Sequence, residues 1–303
     1  MRIILTGGTG FIGYPVLKKL IALNHEVLLL GRNFSLISNL RVKKIRLDLN
    51  GFVDKKKEIL NFKPEAVLHL AWQGIPDYSE RMSEVNFNNS LNFLNFLIEN
   101  SECKKIIVPG SCWEYNDGSI LGQCSEDIKI NPQKPFSIYK KKLFDELSNK
   151  TYKYNIIFNW PRLFYVYGPH QKKNSLIPML IYAHLNNKEL NIKSPNNKND
   201  FIFIDDVVKI LIFMLQSSLP SGVYNVGTGV ATEVMELSNI IKNFFNSNCN
   251  LKKNIKKKTD EQKINFFANT NKLKKYFTNL EFEKINSGLY KTIKFFTTKE
   301  KFS

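Results

Sequence analysis

Short apolar runs alternate with amphipathic segments along the first half of the chain. Six runs have the length and the Ile, Val and Leu content of buried strands: residues 2–6, 26–30, 44–47, 66–70, 105–109 and 156–160. Between them, apolar residues recur at helical spacing in residues 13–23, 85–99 and 136–149. Strands that alternate with helices over this length predict an α/β fold, a Rossmann-type doubly wound parallel sheet.

The pattern loosens after residue 168. Helices are predicted at 175–185 and 205–216, and short strands at 201–204 and 223–226. The polar segments 186–200 and 246–263 are predicted to be loops. We therefore expect a dinucleotide-binding domain over 1–168 and a smaller, mainly substrate-binding lobe over 169–303, with residues 201–229 contributing back to the main sheet.

Three glycines stand where the first predicted strand meets the first predicted helix. Gly7 allows the tight turn, Gly10 lets the backbone approach a pyrophosphate, and Gly13 lets helix and strand pack closely. The amides at the start of the helix then face the phosphates. A glycine trio can also be a plain structural turn, but the strand–turn–helix context favours a dinucleotide site that includes Phe11 and Ile12.

The end of the second predicted strand bears on which dinucleotide binds. Enzymes that prefer NAD usually place an acidic residue there to hold the ribose 2′-hydroxyl, whereas this chain has Arg32. A guanidinium group pairs with a 2′-phosphate, so we predict NADP(H) in preference to NAD(H), unless Arg32 is a solvated loop residue. Asp48 and Leu49, after the third strand, are expected near the adenine.

Composition narrows the class of protein. The chain has 303 residues, 43% of them hydrophobic, and no apolar run approaches the roughly 20 residues that span a bilayer. The first strand begins at residue 2, so we expect no signal peptide and a cytoplasmic location. The four cysteines show no metal-ligand spacing, which predicts no metal. The net charge of +17 is spread along the chain and concentrated between 251 and 275; we interpret it as a solvated basic face rather than a nucleic-acid site.

Several segments together resemble one family, the extended short-chain dehydrogenase/reductases of the NAD-dependent epimerase/dehydratase type, which act on nucleotide sugars. The resemblance lies in TGGTGFIG at 6–13, VLHLAW at 67–72, RLFYVYGP at 162–169, FIFIDDV at 201–207 and GVYNVGTG at 222–229. It implies that Leu70, Ala71 and Trp72 lie beside the nicotinamide ribose and that Asn86, which matches an asparagine of the family's NVxGT-like segment, binds the cofactor. It also implies a homodimer through the helices at 85–99 and 136–149.

The family's catalytic pattern is a Ser or Thr followed by a Tyr and a Lys four residues apart. Ser111 fits the hydroxyl position and Lys140 the lysine position, but Phe136 stands where the tyrosine belongs. Three explanations stay open: an engineered substitution, a natural one with the acid role passed to Tyr139, another group or water, or a catalytically silent cofactor-binding protein. Loss of one general acid typically costs about 10²–10⁴ in rate.

The residues after Ser111 bear on the reaction. The 4,6-dehydratases of this family place an Asp-Glu pair there, whereas this chain has Cys112 and Trp113, so dehydration is disfavoured. Epimerases of the family hold NAD tightly, which the missing acidic residue after the second predicted strand disfavours. The segments 69–78 and 111–115 resemble reductases that make 6-deoxy-talose-type nucleotide sugars. We therefore predict an NADP(H)-dependent reductase of a nucleotide-linked 4-keto-6-deoxy sugar, with an NAD-dependent epimerase as the alternative.

Glu114 is either a helper acid or a hydrogen-bonding group in the cleft. Family members often hold the diphosphate with an arginine where this chain has Lys198 and Asn199, so the nucleotide stays open. The expected substrate-side residues are Trp72, Tyr78, Ser111, Cys112, Trp113, His170, Ser175 and Lys198.

Overall fold

The computed structural model describes residues 1–115, 121–192, 194–245, 251–253 and 265–300. The strands are β1 (Arg2–Thr6), β2 (Glu26–Gly31), β3 (Lys43–Arg46), β4 (Ala66–His69), β5 (Lys105–Ile107), β6 (Gly110–Ser111), β7 (Gly122–Cys124), β8 (Ile157–Leu163), β9 (Tyr165–Tyr167), β10 (Leu190–Ile192), β11 (Lys198–Asn199), β12 (Phe201–Phe203), β13 (Gly222–Val226), β14 (Thr232–Glu233), β15 (Leu251–Lys253) and β16 (Asn265–Ala268). The helices are α1 (Gly13–Ala22), α2 (Lys56–Asn61), α3 (Glu80–Asn100), α4 (Pro135–Lys153), α5 (Leu176–Leu185), α6 (Ile204–Gln216), α7 (Val234–Phe245), α8 (Asn271–Tyr276) and α9 (Ile285–Glu300).

The main sheet has the strand order β13-β8-β5-β4-β1-β2-β3, with β6 paired to β8. The pairings of β1 with β2 and β4, of β5 with β4 and β8, and of β3 with β2 are parallel. Helices cover such a sheet on both faces, which is why β1, β2 and β4 consist mainly of buried apolar residues. The predicted doubly wound α/β fold is confirmed, and the chain reverses direction across the sheet at β1, where such sheets bind ligands.

Three helices hold the residues of the site in place. On α1, Val16, Leu17 and Leu20 are fully buried. Helix α3 begins after Ser79, whose hydroxyl oxygen accepts a hydrogen bond from the Met82 amide at 3.3 Å. Helix α4 begins at Pro135, a residue that suits the first turn because its missing N–H would have no helical partner. Helices α3 and α4 pack against each other.

One predicted loop is wrong. Residues 186–200 contain β10 and β11, and β11 pairs antiparallel with β14 and parallel with β16. Strand β11 consists of two polar residues, and β10 is a Leu-Asn-Ile stretch of three residues, so both are too short for an apolar run or an alternation to mark them in the sequence. Much of the other predicted loop, 246–263, lies outside the described residues; within it, 251–253 form β15.

The chain divides into two compact units. The first consists of Met1–Asp117, Lys129–Leu163 and Val208–Tyr224, and the second of Gly118–Ile128, Phe164–Val207 and Asn225–Ser303. In the second unit β9 pairs with β12, and β14, β11, β16 and β7 form a four-stranded sheet. Asp200 connects separate segments of this second unit. Its carboxylate accepts hydrogen bonds from the amides of Thr228, Gly229 and Ala268 at 2.8, 2.9 and 3.1 Å. That residues 1–168 serve the cofactor and 169–303 the substrate stays a prediction.

Candidate active site

The turn between β1 and α1 has the backbone shape that its glycines predict. Gly7 has a φ of +70°, and a Cβ there would lie 2.7 Å from the Leu70 carbonyl carbon of the neighbouring segment. The Gly10 amide donates a hydrogen bond to the Gly7 carbonyl oxygen at 2.9 Å. A Cβ on Gly13 would overlap that same oxygen, so the helix can approach the turn this closely because residue 13 has no side chain. The turn therefore presents bare backbone, as a pyrophosphate requires.

A cleft of about 230 Å³ opens beside this turn. The predicted cofactor residues that line it are Gly7, Gly10, Arg32, Asp48, Leu49, Leu70, Ala71, Trp72 and Asn86. Phe11, Ile12, Gly13 and Lys140 are not in its lining, although the first three continue the turn into α1. Residues from the carboxyl ends of β1, β2 and β4 thus meet in one cleft, which fits the adenosine and pyrophosphate parts of a dinucleotide.

Arg32 projects from the end of β2. Its Nη1 donates a hydrogen bond to the Gln73 side-chain oxygen at 3.1 Å and lies 3.8 Å from an Asp48 carboxylate oxygen. The Arg32 side chain is 62% exposed, so this ion pair is weak and the guanidinium can still bind an anion. Asp48, which follows β3, is the carboxylate next to this guanidinium.

Asn86 holds the segment that follows β4. Its side-chain oxygen accepts a hydrogen bond from the Gln73 amide at 2.7 Å, and its Nδ2 donates to the carbonyl oxygens of Gln73 and Met82 at 3.0 and 2.8 Å. These bonds fix the backbone next to Trp72, a positioning role that the motif alone does not show.

His69 is a site residue whose role sequence reasoning missed, although it stands in the motif at 67–72. Its ring nitrogens lie 3.0 Å from the Thr6 and Ser90 hydroxyl oxygens, and the Thr6 oxygen accepts a hydrogen bond from the Ala71 amide at 3.1 Å. Burial, assisted by the charge of Lys140, lowers the pKa of His69 to about 3, so the ring is neutral. It joins the ends of β1 and β4 beneath the cofactor turn.

The predicted catalytic serine, Ser111, lies on β6, and the predicted catalytic lysine, Lys140, lies on α4. The Lys140 Nζ donates a hydrogen bond to the Pro109 carbonyl oxygen at 2.8 Å and lies 3.9 Å from the centroid of the Trp72 ring. Burial lowers the pKa of Lys140 to about 7, against the opposing effect of the Glu114 charge. The Ser111 hydroxyl oxygen accepts a hydrogen bond from the Trp113 amide at 3.2 Å.

Phe136 packs against two aromatic residues of the segment after β4. Its ring centroid lies 5.6 Å from that of Trp72 and 5.2 Å from that of Tyr78, both in edge-to-face geometry. Tyr139, three residues further along α4, instead packs against Phe87 at 5.8 Å, with the Lys142 Nζ 4.7 Å from its ring centroid.

Glu114 is buried and surrounded by hydrogen-bond donors. One carboxylate oxygen accepts from the Ser111 amide at 2.7 Å and the Trp160 indole at 3.0 Å, and the other accepts from the Arg162 Nε at 2.8 Å. Of the two roles open for Glu114, these contacts support the hydrogen-bonding one. Sequence reasoning missed its partners Trp160 and Arg162, which stand far along the chain on β8.

The expected substrate-side residues fall into both compact units. Cys112, buried, and Trp113, half-buried, follow Ser111 in the first unit, which also carries Trp72 and Tyr78. The second unit carries His170, whose ring centroid lies 4.4 Å from that of Phe295 in a tilted arrangement, together with Ser175 just before α5 and the exposed Lys198 on β11. Among the described residues, no three His, Cys, Asp or Glu side chains form a metal-binding group. In that same part of the chain no helix has the length and apolar content to cross a membrane.

Comparison with known proteins decides the family. The model of the NAD dependent epimerase/dehydratase family matches residues 3–227. The chain belongs to this family. The predicted resemblance is thereby confirmed, and members of the family are NAD(P)-dependent enzymes that act on nucleotide sugars.

Individual relatives of this family member carry out different reactions. ADP-L-glycero-D-manno-heptose-6-epimerase of Fusobacterium nucleatum is 28% identical over 280 residues, covering 83% of this chain and 82% of its own length. The dTDP-6-deoxy-L-talose 4-dehydrogenase (NAD(+)) of Aggregatibacter actinomycetemcomitans is 27% identical over 242 residues, covering 76% and 85%. The solved structure of UDP-glucose 4-epimerase from Thermotoga maritima with UDP-glucose has a TM-score of 0.87 at 23% identity, covers 99% of this chain and all of that one, and supports the fold.

Proposed function

We propose that this family member is an NADP(H)-dependent reductase of a nucleotide-linked 4-keto-6-deoxy sugar. When bound, the dinucleotide would supply the hydride for reduction of the sugar C4 carbonyl. The turn from Gly7 to Gly13 holds the pyrophosphate, Arg32 the 2′-phosphate and Lys140 the nicotinamide ribose, while Ser111 donates a hydrogen bond to the carbonyl oxygen. A cytoplasmic homodimer that binds a nucleotide-diphosphate sugar, and no nucleic acid, completes the proposal.

The observation that carries the proposal is the exposed guanidinium of Arg32 in the lining of the cleft. A 2′-phosphate is a dianion whose oxygens match the paired N–H groups of arginine. The proposed reductase consumes NADPH as a cosubstrate and releases the oxidised cofactor after each turnover, whereas an epimerase keeps its NAD bound. The talose dehydrogenase relative acts on a 6-deoxy sugar at C4, but its name specifies NAD(+). The preference for NADPH therefore rests on Arg32.

The residues after Ser111 disfavour dehydration. That reaction needs an acid and a base next to the sugar, and the two positions carry the Cys112 thiol and the Trp113 indole. The nearest carboxylate along the chain, Glu114, already accepts hydrogen bonds from Arg162, Trp160 and the Ser111 amide. Hydride transfer needs neither of the missing carboxylates.

The test follows NADPH oxidation with a panel of nucleotide-linked 4-keto-6-deoxy sugars. We expect turnover by the chain and faster turnover by Phe136→Tyr, which restores the family's phenol four residues before Lys140. If neither protein oxidises NADPH with any of these sugars, the reductase proposal is wrong.

An epimerase that uses bound NAD is the second candidate, and Asp48 favours it. Its carboxylate lies 3.8 Å from Arg32, where it could accept a hydrogen bond from a ribose 2′-hydroxyl and offset the charge that would attract a 2′-phosphate. This candidate predicts conversion of one nucleotide sugar into its epimer without net consumption of cofactor, measured by chromatography of the sugar. A catalytically silent protein would instead bind cofactor and turn over nothing, even as Phe136→Tyr.

A further inference from the structure

Reduction of a ketone needs a proton as well as a hydride, and Phe136 has none to give. Its ring lies against the side chains that surround the family's phenol position, Trp72 on one side and Tyr78 on another. A side chain next to this ring that carries an exchangeable proton is therefore a candidate donor for the same carbonyl oxygen.

Tyr78 is a protonatable neighbour in direct contact with Phe136. The two ring centroids are 5.2 Å apart, and the Tyr78 side chain is half exposed. Both ends of its segment are fixed. Asn86 binds the Gln73 backbone, and the Asp77 carboxylate accepts a hydrogen bond from the Ser79 amide at 2.9 Å. The segment thus holds Tyr78 in place across from α4.

The rival donors on α4 have other contacts. Tyr139 packs against Phe87 on α3, away from the pair formed by Phe136 and Tyr78. The Lys140 ammonium donates to the Pro109 carbonyl oxygen and lies over the Trp72 ring. Among the described residues, the aromatic rings that contact Phe136 are those of Trp72 and Tyr78, and of these two Tyr78 carries a phenol.

We propose that Tyr78 is the general acid of this enzyme and supplies the proton that the family's tyrosine would otherwise give. This inference rests on the proposed reductase function. The hydride adds to the sugar C4, the Tyr78 O–H bond breaks, and its proton moves to the C4 oxygen, which leaves an alcohol and a tyrosinate. Water at the exposed edge of Tyr78 returns the proton. Burial raises the pKa of Tyr78, so the phenol is protonated at neutral pH.

The experiment places Tyr78→Phe in two backgrounds, the natural chain and Phe136→Tyr, and measures NADPH oxidation with the sugar that the chain reduces best. In the natural chain we expect kcat to fall by about 10²–10⁴, the cost of losing a general acid, with little change in KM or in NADPH affinity. In the Phe136→Tyr background the restored phenol makes Tyr78 dispensable, so the same substitution changes kcat by less than about threefold. Tyr152→Phe, on an exposed tyrosine at the end of α4, is the neutral control.

Each alternative has a distinct outcome. An equal loss in both backgrounds makes Tyr78 a substrate contact and overturns the proposal, as does an unchanged kcat for Tyr78→Phe in the natural chain. A loss on Tyr139→Phe instead assigns the proton to Tyr139. If Phe136→Tyr turns over and the natural chain does not, Tyr78 is no acid, but the reductase function stands. If neither turns over, the reductase proposal itself fails and the role of Tyr78 fails with it.

Discussion

Lys140 keeps its ammonium group away from solvent, between the Pro109 carbonyl oxygen and the face of Trp72. The cost of desolvating the charge brings its pKa to about 7, so the folded protein holds this lysine close to its point of half-protonation at neutral pH. The unfolded chain keeps the same group protonated up to its ordinary value of 10.5. Folding and protonation of Lys140 are therefore linked.

This linkage predicts a stability that rises with pH. Between pH 7 and 10.5 the unfolded state binds the proton that the folded state has released, so the free energy of unfolding gains up to about 1.4 kcal/mol per pH unit from this one group. Lys140→Met removes the contribution. Urea denaturation of both proteins at several pH values measures the difference in slope, and parallel slopes would show that Lys140 keeps its proton in the folded state.

Arg32 gives the second prediction at the residue scale. Arg32→Ser removes the guanidinium that we propose pairs with the 2′-phosphate, and hydrogen bonds to charged groups contribute about 1.5–3 kcal/mol. We expect NADPH affinity to fall by about ten- to a hundredfold while NADH affinity stays within about threefold, measured by fluorescence titration. Arg46→Ser, on an exposed arginine of β3 outside the cleft lining, is the matched control. Equal weakening of both cofactors would remove the argument for NADPH.

At the scale of elements, β6, β8 and the short 3₁₀ segment Cys112–Tyr115 are tied together by one buried carboxylate. Glu114 accepts from the Ser111 amide, the Trp160 indole and the Arg162 guanidinium. A Cβ on Gly110 would overlap the Trp160 indole and the Glu114 carboxylate, so glycine at 110 permits this packing. Ser111, the proposed catalytic serine, is therefore held by the carboxylate that also pairs with Arg162 on β8.

Glu114→Ala should destabilise the fold more than loss of an exposed ion pair does. It leaves the Arg162 charge buried without its partner, an arrangement that costs about 3–5 kcal/mol. The control is Asp145→Ala, which breaks the exposed i,i+4 pair with Lys141 and should cost about 0.5 kcal/mol or less. Denaturant midpoints of the two variants measure the contrast. Similar midpoints would mean that solvent reaches the Glu114 site.

Elements also show where sequence reasoning succeeds. The runs at 2–6, 26–30 and 66–70 became β1, β2 and β4 because strands buried on both faces need continuous apolar residues. The glycine turn was predictable because its backbone admits few other residues. The sequence predicted that Arg32 lies in the cofactor cleft. It did not predict the contacts of Arg32 with Asp48 and Gln73, because these three residues follow three different strands. The partners of Glu114 and the packing of Tyr78 on Phe136 depend equally on long-range packing.

At the scale of the whole molecule, the proposed homodimer would bury the outer faces of α3 and α4. Val85 is an exposed apolar residue on α3, 37% accessible in the single chain. We expect light scattering to give twice the monomer mass at micromolar concentration and Val85→Lys to shift the protein towards monomer. Val230→Lys, on a more exposed valine in the second unit, should leave the mass unchanged. A monomeric natural chain would contradict the proposed dimer.

The first compact unit is built from three separate stretches of chain, and the last of them, Val208–Tyr224, arrives late. Lys105 on β5 donates hydrogen bonds to the carbonyl oxygens of Met214, Leu215 and Ser217, all within that stretch. A nascent chain that has left the ribosome only as far as residue 163 therefore lacks both the edge strand β13 and the acceptors for this lysine. Truncated fragments of that length should need chaperones and aggregate rather than bind cofactor as an independent half.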